Sequence, residues 1–215
     1  MTIKHIFRRA LSAILFAVSC IALSLGISQA DPVKRLDFKV DQVPKTLKFK
    51  GELTHGVYWL DQMGENYALF STITRDKPDH RSIYLYVYHY VKSEEGPYRL
   101  TRRIRDKEEQ CPQENLAHFA QKSVELTDLD QDQIGEVSFV YHLGCAGDMS
   151  PNTAKLVTLE NGAKYILRGT TKIKYPTRSE GGERKIDPSF LKAPKSILDH
   201  ALKMWEAHTV SSADL

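Results

Sequence analysis

The sequence predicts an α+β protein that is mostly antiparallel β, a sheet or sandwich of hairpins with a short middle helix and a C-terminal amphipathic helix. Three observations carry that expectation. Apolar residues alternate with polar ones through much of the first half, the period of strands with one face on a core. Three times, two such runs flank a turn-forming cluster: Gln62-Met63-Gly64-Glu65-Asn66, Ser93 to Pro97, and Glu160-Asn161-Gly162. Near the C-terminus, in "SILDHALKMWEAH", the apolar period becomes that of a helix, with Ile197, Leu198, Ala201, Leu202, Met204 and Trp205 on one side.

Residues 1–30 read as a cleavable secretory signal. Lys4, Arg8 and Arg9 give a positive start, an apolar run extends from Ala10 to about Ile27, and Ser28-Gln29-Ala30 ends in small residues at the inspected positions. The apolar run is short for a membrane span, and Asp31-Pro32 follows at once. A lipoprotein reading through Cys20 fails because Ala17-Val18-Ser19 lacks the usual leucine. Cleavage after Ala30 places the protein in the periplasm or outside the cell, with no membrane span left. It also removes three basic and no acidic side chains, so the net charge of +3 falls to zero, with 27 of each sign. Such a surface makes no electrostatic case for nucleic acid or anionic lipid. The 185 remaining residues suit one β-rich domain over 31–208 and a flexible tail over 209–215.

Along the domain, Leu36, Phe38 and Val40, then Leu47 and Phe49, alternate as strands do. In "RSIYLYVYHYVK", Ile83, Leu85, Val87 and His89 share one strand face and Tyr84, Tyr86, Tyr88 and Tyr90 the other. The tyrosine row admits two readings: an amphipathic platform for carbohydrate or peptide, or one partly buried face of a central strand, which needs no ligand to explain it. His89 reads as a hydrogen-bonded core residue. Residues 113–122, "QENLAHFAQK", suggest the middle helix, followed by a strand at Ser123 to Leu126 and another at Val137 to Leu143. Lys174 to Lys185, with Pro176 and Gly181-Gly182, reads as a loop.

After signal removal only Cys111 and Cys145 remain. Two cysteines in an oxidising compartment usually pair, whereas a zinc site is not proposed, since neither has a C-x-x-C partner and only His142 lies near. A disulfide is expected.

Residues 127–141, "TDLDQDQIGEVSFVY", carry the most chemistry. Asp128, Asp130 and Asp132 are spaced i, i+2, i+4, Glu136 stands in the ninth position, and the carbonyl of Ile134 falls in the seventh. Carboxylates at alternate positions of a tight loop form oxygen cages for Ca²⁺, and clustered carboxylates repel one another without a positive charge between them. The plainer alternative is a solvated acidic turn. An EF-hand is excluded, because the sixth position is Gln133 rather than glycine and the twelfth is Phe139. The D-x-D-x-D-x-x-x-E spacing instead resembles the calcium loops of integrin-type β-propeller (FG-GAP) repeats, which lie between two strands. That resemblance covers about ten residues and implies Asp128, Asp130, Asp132 and Glu136 as ligands. On a larger scale, Asp128 to Gly169 resembles an uncharacterised family of secreted bacterial cell-envelope proteins. The features are the acidic loop, the C-x-x-D-x-S-P turn of Cys145, Asp148, Ser150 and Pro151, and the closing Lys164, Tyr165, Arg168 and Gly169. The resemblance implies a cell-envelope protein, some relatives carrying labels linked to surface polysaccharide, and it implies no catalytic residues.

Chemistry beyond binding would fall to His142, Asp148, Ser150, Arg168 and, if it is not simply a core residue, His89; a glycan or peptide hydrolase of the envelope would use Asp148 and His142, with Glu136 as a further carboxylate, within hydrogen-bond reach. No G-x-S-x-G, H-E-x-x-H, S-x-x-K or phosphate-binding glycine loop is present, and Asp-x-Ser-Pro is also an ordinary turn. The sequence therefore favours a binding or structural protein, with Ca²⁺ at the acidic loop and an envelope glycan or protein as partner, over a hydrolase.

Overall fold

The computed structural model describes residues 32–120 and 122–212; the signal segment and residues 213–215 of the tail lie outside the described residues. A five-stranded antiparallel meander comes first: β1 (Lys34–Leu36), β2 (Glu52–Asp61), β3 (Gly64–Lys77), β4 (His80–Lys92) and β5 (Arg99–Cys111), in that spatial order. Next come β6 (Glu114–Asn115), β7 (His118–Phe119), β8 (Glu125–Thr127), β9 (Glu136–Leu143), β10 (Cys145–Ala146), β11 (Thr153–Glu160), β12 (Ala163–Thr170), β13 (Lys172–Lys174), β14 (Ser179–Gly181) and β15 (Arg184–Ile186). Helix α1 (Lys195–Thr209) and β16 (Val210–Ser212) close the chain. The second sheet runs β15-β12-β11-β9-β7, with β8 also paired to β9.

The two sheets pack face to face. Val57, Trp59, Ala68, Phe70, Leu85 and Val87 of the first meet Val137, Phe139, Tyr141, Val157, Leu159 and Ile166 of the second in one buried cluster. These are alternate positions on their strands, so the period-two pattern has become the sandwich interior. Helix α1 covers the opposite face of the second sheet, with Ile197, Ala201, Met204 and Trp205 on Val140, Ala154, Leu156 and Leu167. The hairpins stand where their turns were expected. Asn161 and Gly162 have φ of 42° and 72°, both left-handed as a two-residue type I′ turn requires.

Four expectations are corrected. The middle helix is absent: residues 113–120 hold β6 and β7, paired with β10 and β9. The Asn115 side chain fixes the extended path, donating from Nδ2 to the carbonyls of Arg81 and Glu108 and accepting from the Ala117 N–H at Oδ1. The alternating stretch over Phe38–Val40 and Leu47–Phe49 forms no strand; apart from a 3-10 turn at Val40–Gln42 it is irregular. It crosses the outer face of the first sheet instead, and Leu47, Phe38, Val43 and Phe49 pack on Tyr84, Tyr86, Tyr88 and Tyr90. Each of the four tyrosines is at least nine-tenths buried, and two hydroxyls hold the covering segment: Tyr90 Oη donates to the Lys48 carbonyl at 2.6 Å, and the Lys50 N–H donates to Tyr88 Oη at 3.2 Å. The row is a roofed core face, not a ligand platform. Third, the loop expected over 174–185 contains β14 and β15. Finally, residues 210–212 of the tail form β16, paired parallel to β13.

Candidate functional site

The acidic loop joins β8 to β9, whose first pair is Thr127 and Glu136. Its path needs two left-handed residues, Gln131 at φ 62° and Gln133 at φ 67°. Gln133 is the sixth loop position, so this chain takes there the conformation usually given to glycine, at a cost of about 1–2 kcal/mol. The turns are fixed from within, since Asp132 Oδ1 accepts the Ile134 N–H at 2.8 Å. Ile134 thus contributes its N–H to the loop's own geometry.

Five carboxylates gather here. Oxygens of Asp128, Asp130 and Glu136 lie within 4.8 Å of one another, as do oxygens of Asp130, Asp132 and Glu160, so Asp130 belongs to both triads. The cluster could hold a metal ion. Glu160 ends β11, on the far side of β9 from β8. Its distance in the chain hides it from any loop-spacing argument; the only local signal is an acidic residue closing a β-branched strand.

The environment disfavours so much negative charge. Glu136 is fully buried, and burial pushes its carboxyl up, with Asp130 adding to the effect; opposing this, it accepts the Leu129 N–H at 2.9 Å and the Thr127 hydroxyl at 2.8 Å. Glu160 is pushed up to about 6, by burial first and then by Asp130, Glu136 and Asp132, against the stabilising hydroxyl of Tyr165 at 2.9 Å. Among the described residues no basic side chain forms an ion pair with any of the five. Asp128 Oδ1 and Gln133 Oε1 are buried without hydrogen-bond partners. Unpaired buried carboxylate oxygens facing other carboxylates are costly unless a cation joins them.

Comparison with protein-family models, curated proteins and solved structures finds no match. The site stands on its own geometry.

That geometry includes a residue the motif does not contain. Asp61, the last residue of β2, accepts from Trp59 Nε1 at 2.8 Å, the Met63 N–H at 2.8 Å, Asn66 Nδ2 at 2.8 Å and, from the acidic loop, the Gly135 N–H at 3.0 Å. The Gln62 N–H also donates to the Gln133 carbonyl at 3.0 Å. The β2–β3 turn therefore clamps the loop. Gly135 is required for the fit, because a Cβ there would lie 2.6 Å from Trp59 Nε1. His89 sits beneath as a core residue, stacked on Trp59 with ring centroids 5.2 Å apart and bonded to Asn66 Oδ1 at 3.1 Å.

The remaining candidates are dispersed. Cys111 and Cys145 form a disulfide. His142 pairs with Ala154, and Ala154 pairs with Gly169, so His142 points to the opposite face of the sheet from Arg168. Arg168 approaches Asp187 at 3.8 Å, whereas His142 lies beside His118 and His208. Asp148 and Ser150 bond each other at 2.5 Å in an exposed turn. The expected polar constellation of His142, Asp148, Ser150 and Arg168 is not assembled, because the strand pleat separates two of its members and the turn satisfies the other two.

Proposed function

We propose that this is an exported β-sandwich protein of the bacterial cell envelope, periplasmic or secreted, that works by binding and is stabilised by Ca²⁺ at the acidic loop. One observation carries the metal reading: two overlapping carboxylate triads sharing Asp130, buried in part and without an ion-paired basic side chain among the described residues. An all-oxygen donor set of this charge suits a hard cation, and the irregular loop can supply the larger coordination number of Ca²⁺. Asp128, Asp130, Asp132, Glu136 and Glu160 would hold it, and the ion would neutralise the loop and fix the strand ends beneath. Export rests on the three-part signal and agrees with the disulfide. The hydrolase reading loses its ground with the dispersal of its residues. With the tyrosine face roofed, an envelope glycan or peptide would find its place in the cleft of about 510 Å³ where the sandwich interior opens, lined by Thr54, His55, Thr74, Ile83 and Phe119 among others.

Calcium should raise the melting temperature. At a hundredfold excess over Kd, binding to the native state adds about 2.7 kcal/mol, roughly 5–10 °C for a chain of this size. EDTA should reverse the rise, and Asp130→Asn should remove it while retaining the fold. A melt indifferent to both Ca²⁺ and EDTA ends the metal reading.

Glu160 gives the cluster a pH signature. Its carboxyl is raised from 4.5 to about 6 in the folded state, so its contribution to stability is full below about 4.5 and is lost as pH rises through 6. In EDTA, Glu160→Gln and the parent should melt alike at pH 4.5, and the variant should melt higher at pH 7. With Ca²⁺ present the order at pH 7 should invert, because the variant lacks a ligand. Parallel melting curves across that range would remove Glu160 from the cluster.

A further inference from the structure

Two histidines meet on the helix-side face of the second sheet. His118 of β7 and His142 of β9 are directly opposed cross-strand partners, so their side chains leave the same face as neighbours. Their ring centroids are 5.1 Å apart. A metal about 2.1 Å from each ring nitrogen, with the ring centre about 1.1 Å beyond and an angle of about 109° at the ion, holds two imidazoles about 5.2 Å apart. The observed centroid separation is compatible with that spacing, the ring planes standing at 85° to each other.

Both rings have a free nitrogen. His118 Nδ1 is engaged by the carbonyl of Leu116 at 2.8 Å, which makes it the protonated nitrogen and leaves the Nε2 lone pair outward. A backbone carbonyl on the other nitrogen is the arrangement that orients most metal-bound histidines. His142 Nε2 is buried without a hydrogen-bond partner. His118 is exposed, so an ion can reach the pair from solvent. His208, in the last turn of α1, is near enough to influence the His142 ring, but the three imidazoles do not bring their nitrogens within 4.8 Å of one another.

We propose that His118 and His142 bind a borderline divalent transition metal, Cu²⁺, Ni²⁺ or Zn²⁺, through their Nε2 atoms, with water in the remaining positions. Imidazole pairs select these ions over Ca²⁺, so the site is independent of the acidic loop. Cu²⁺ is the probe. Titrated into untagged protein, it should bind one equivalent that Ca²⁺ does not displace, with an electron paramagnetic resonance spectrum split by at least two nitrogens. His118→Asn, at an exposed position that leaves the melt unchanged, should weaken binding more than about tenfold and remove one nitrogen coupling. His142→Gln should do the same, and Asp130→Asn should alter neither readout. If His118→Asn folds and binds Cu²⁺ as tightly as the parent with the same nitrogen splitting, the site is elsewhere and the proposal falls. Failure of the calcium tests with retained Cu²⁺ binding would overturn the acidic-loop reading alone.

Discussion

Replacing Asp61 with alanine should destabilise the protein by about 3–5 kcal/mol, although the residue belongs to no motif. Its two oxygens accept four donors, from Trp59, Met63, Asn66 and Gly135. Trp59 and Asn66 are both fully buried, so water cannot replace the lost acceptor without opening the sandwich. A buried donor left unpaired costs about 1–3 kcal/mol, and more where the lost partner was charged. Two such donors together with two backbone N–H groups give the stated total. The effect should also reach the loop, since Gly135 and Gln133 are held to the β2–β3 turn by Asp61 and by the Gln62 N–H. The variant should therefore lose calcium affinity as well as stability, with no metal ligand altered. Chemical denaturation gives the first quantity and calorimetry at low temperature, where the variant remains folded, the second. Asp61→Asn discriminates charge from geometry, because its amide nitrogen faces donors and should recover less than half of the loss. A variant within 1 kcal/mol of the parent would mean that the clamp contributes little and that Trp59 finds another acceptor, a result the magnitudes above exclude.

What was legible beforehand was local. The Asn161-Gly162 turn fixes its own backbone and so announces the β11–β12 hairpin. The spacing of Ile197, Ala201, Met204 and Trp205 announces α1, because burying them on one sheet demands one stripe. Asp128, Asp130 and Asp132 can be recognised as a converging loop because alternate positions within nine residues determine where their side chains go. The rest depended on partners distant in the chain. Glu160 joins the cluster only because β11 lies beside β9. Leu116, Ala117, Phe119 and Ala120 look helical in isolation, yet strand pairing on both sides and the bonds of Asn115 hold them extended. Four tyrosines on one face gave no sign of being roofed by residues 37–50, since an irregular segment held by hydroxyl–backbone bonds has no period to detect. His118 and His142 are 24 residues apart and meet through a two-residue strand that pattern reading takes for helix.

Reduction of the Cys111–Cys145 bond should cost roughly 3–4 kcal/mol, from the chain entropy released when a loop of this length is opened. The bond joins the last residue of β5, in the first sheet, to β10, which follows directly on β9 of the second. Around it the chain relies on a few weak elements: two-residue strands β6 and β10, a Leu116 N–H to Gly144 carbonyl bond at 2.8 Å, and the Asn115 side chain. Short pairings of this kind are marginal alone, so most of the order in residues 112–120 should disappear with the bond. Cys111 is nearly fully buried, whereas Cys145 is half-buried, so attack on the native protein is confined to the Cys145 sulfur. Mild thiol should therefore act slowly on the native protein through Cys145, and guanidinium should accelerate it by exposing Cys111. Thiol titration of denatured, unreduced protein should find the pair fully oxidised. Cys111→Ala/Cys145→Ala should show the same loss of stability and should exchange amide hydrogens fastest over residues 112–120. Because β7 lies in that span, the double variant should also weaken Cu²⁺ binding at His118 and His142 while leaving the calcium-dependent rise in melting temperature intact. A loss of the calcium response instead would mean that the sandwich ends are coupled through the core, and that the bond steadies the whole fold rather than one edge.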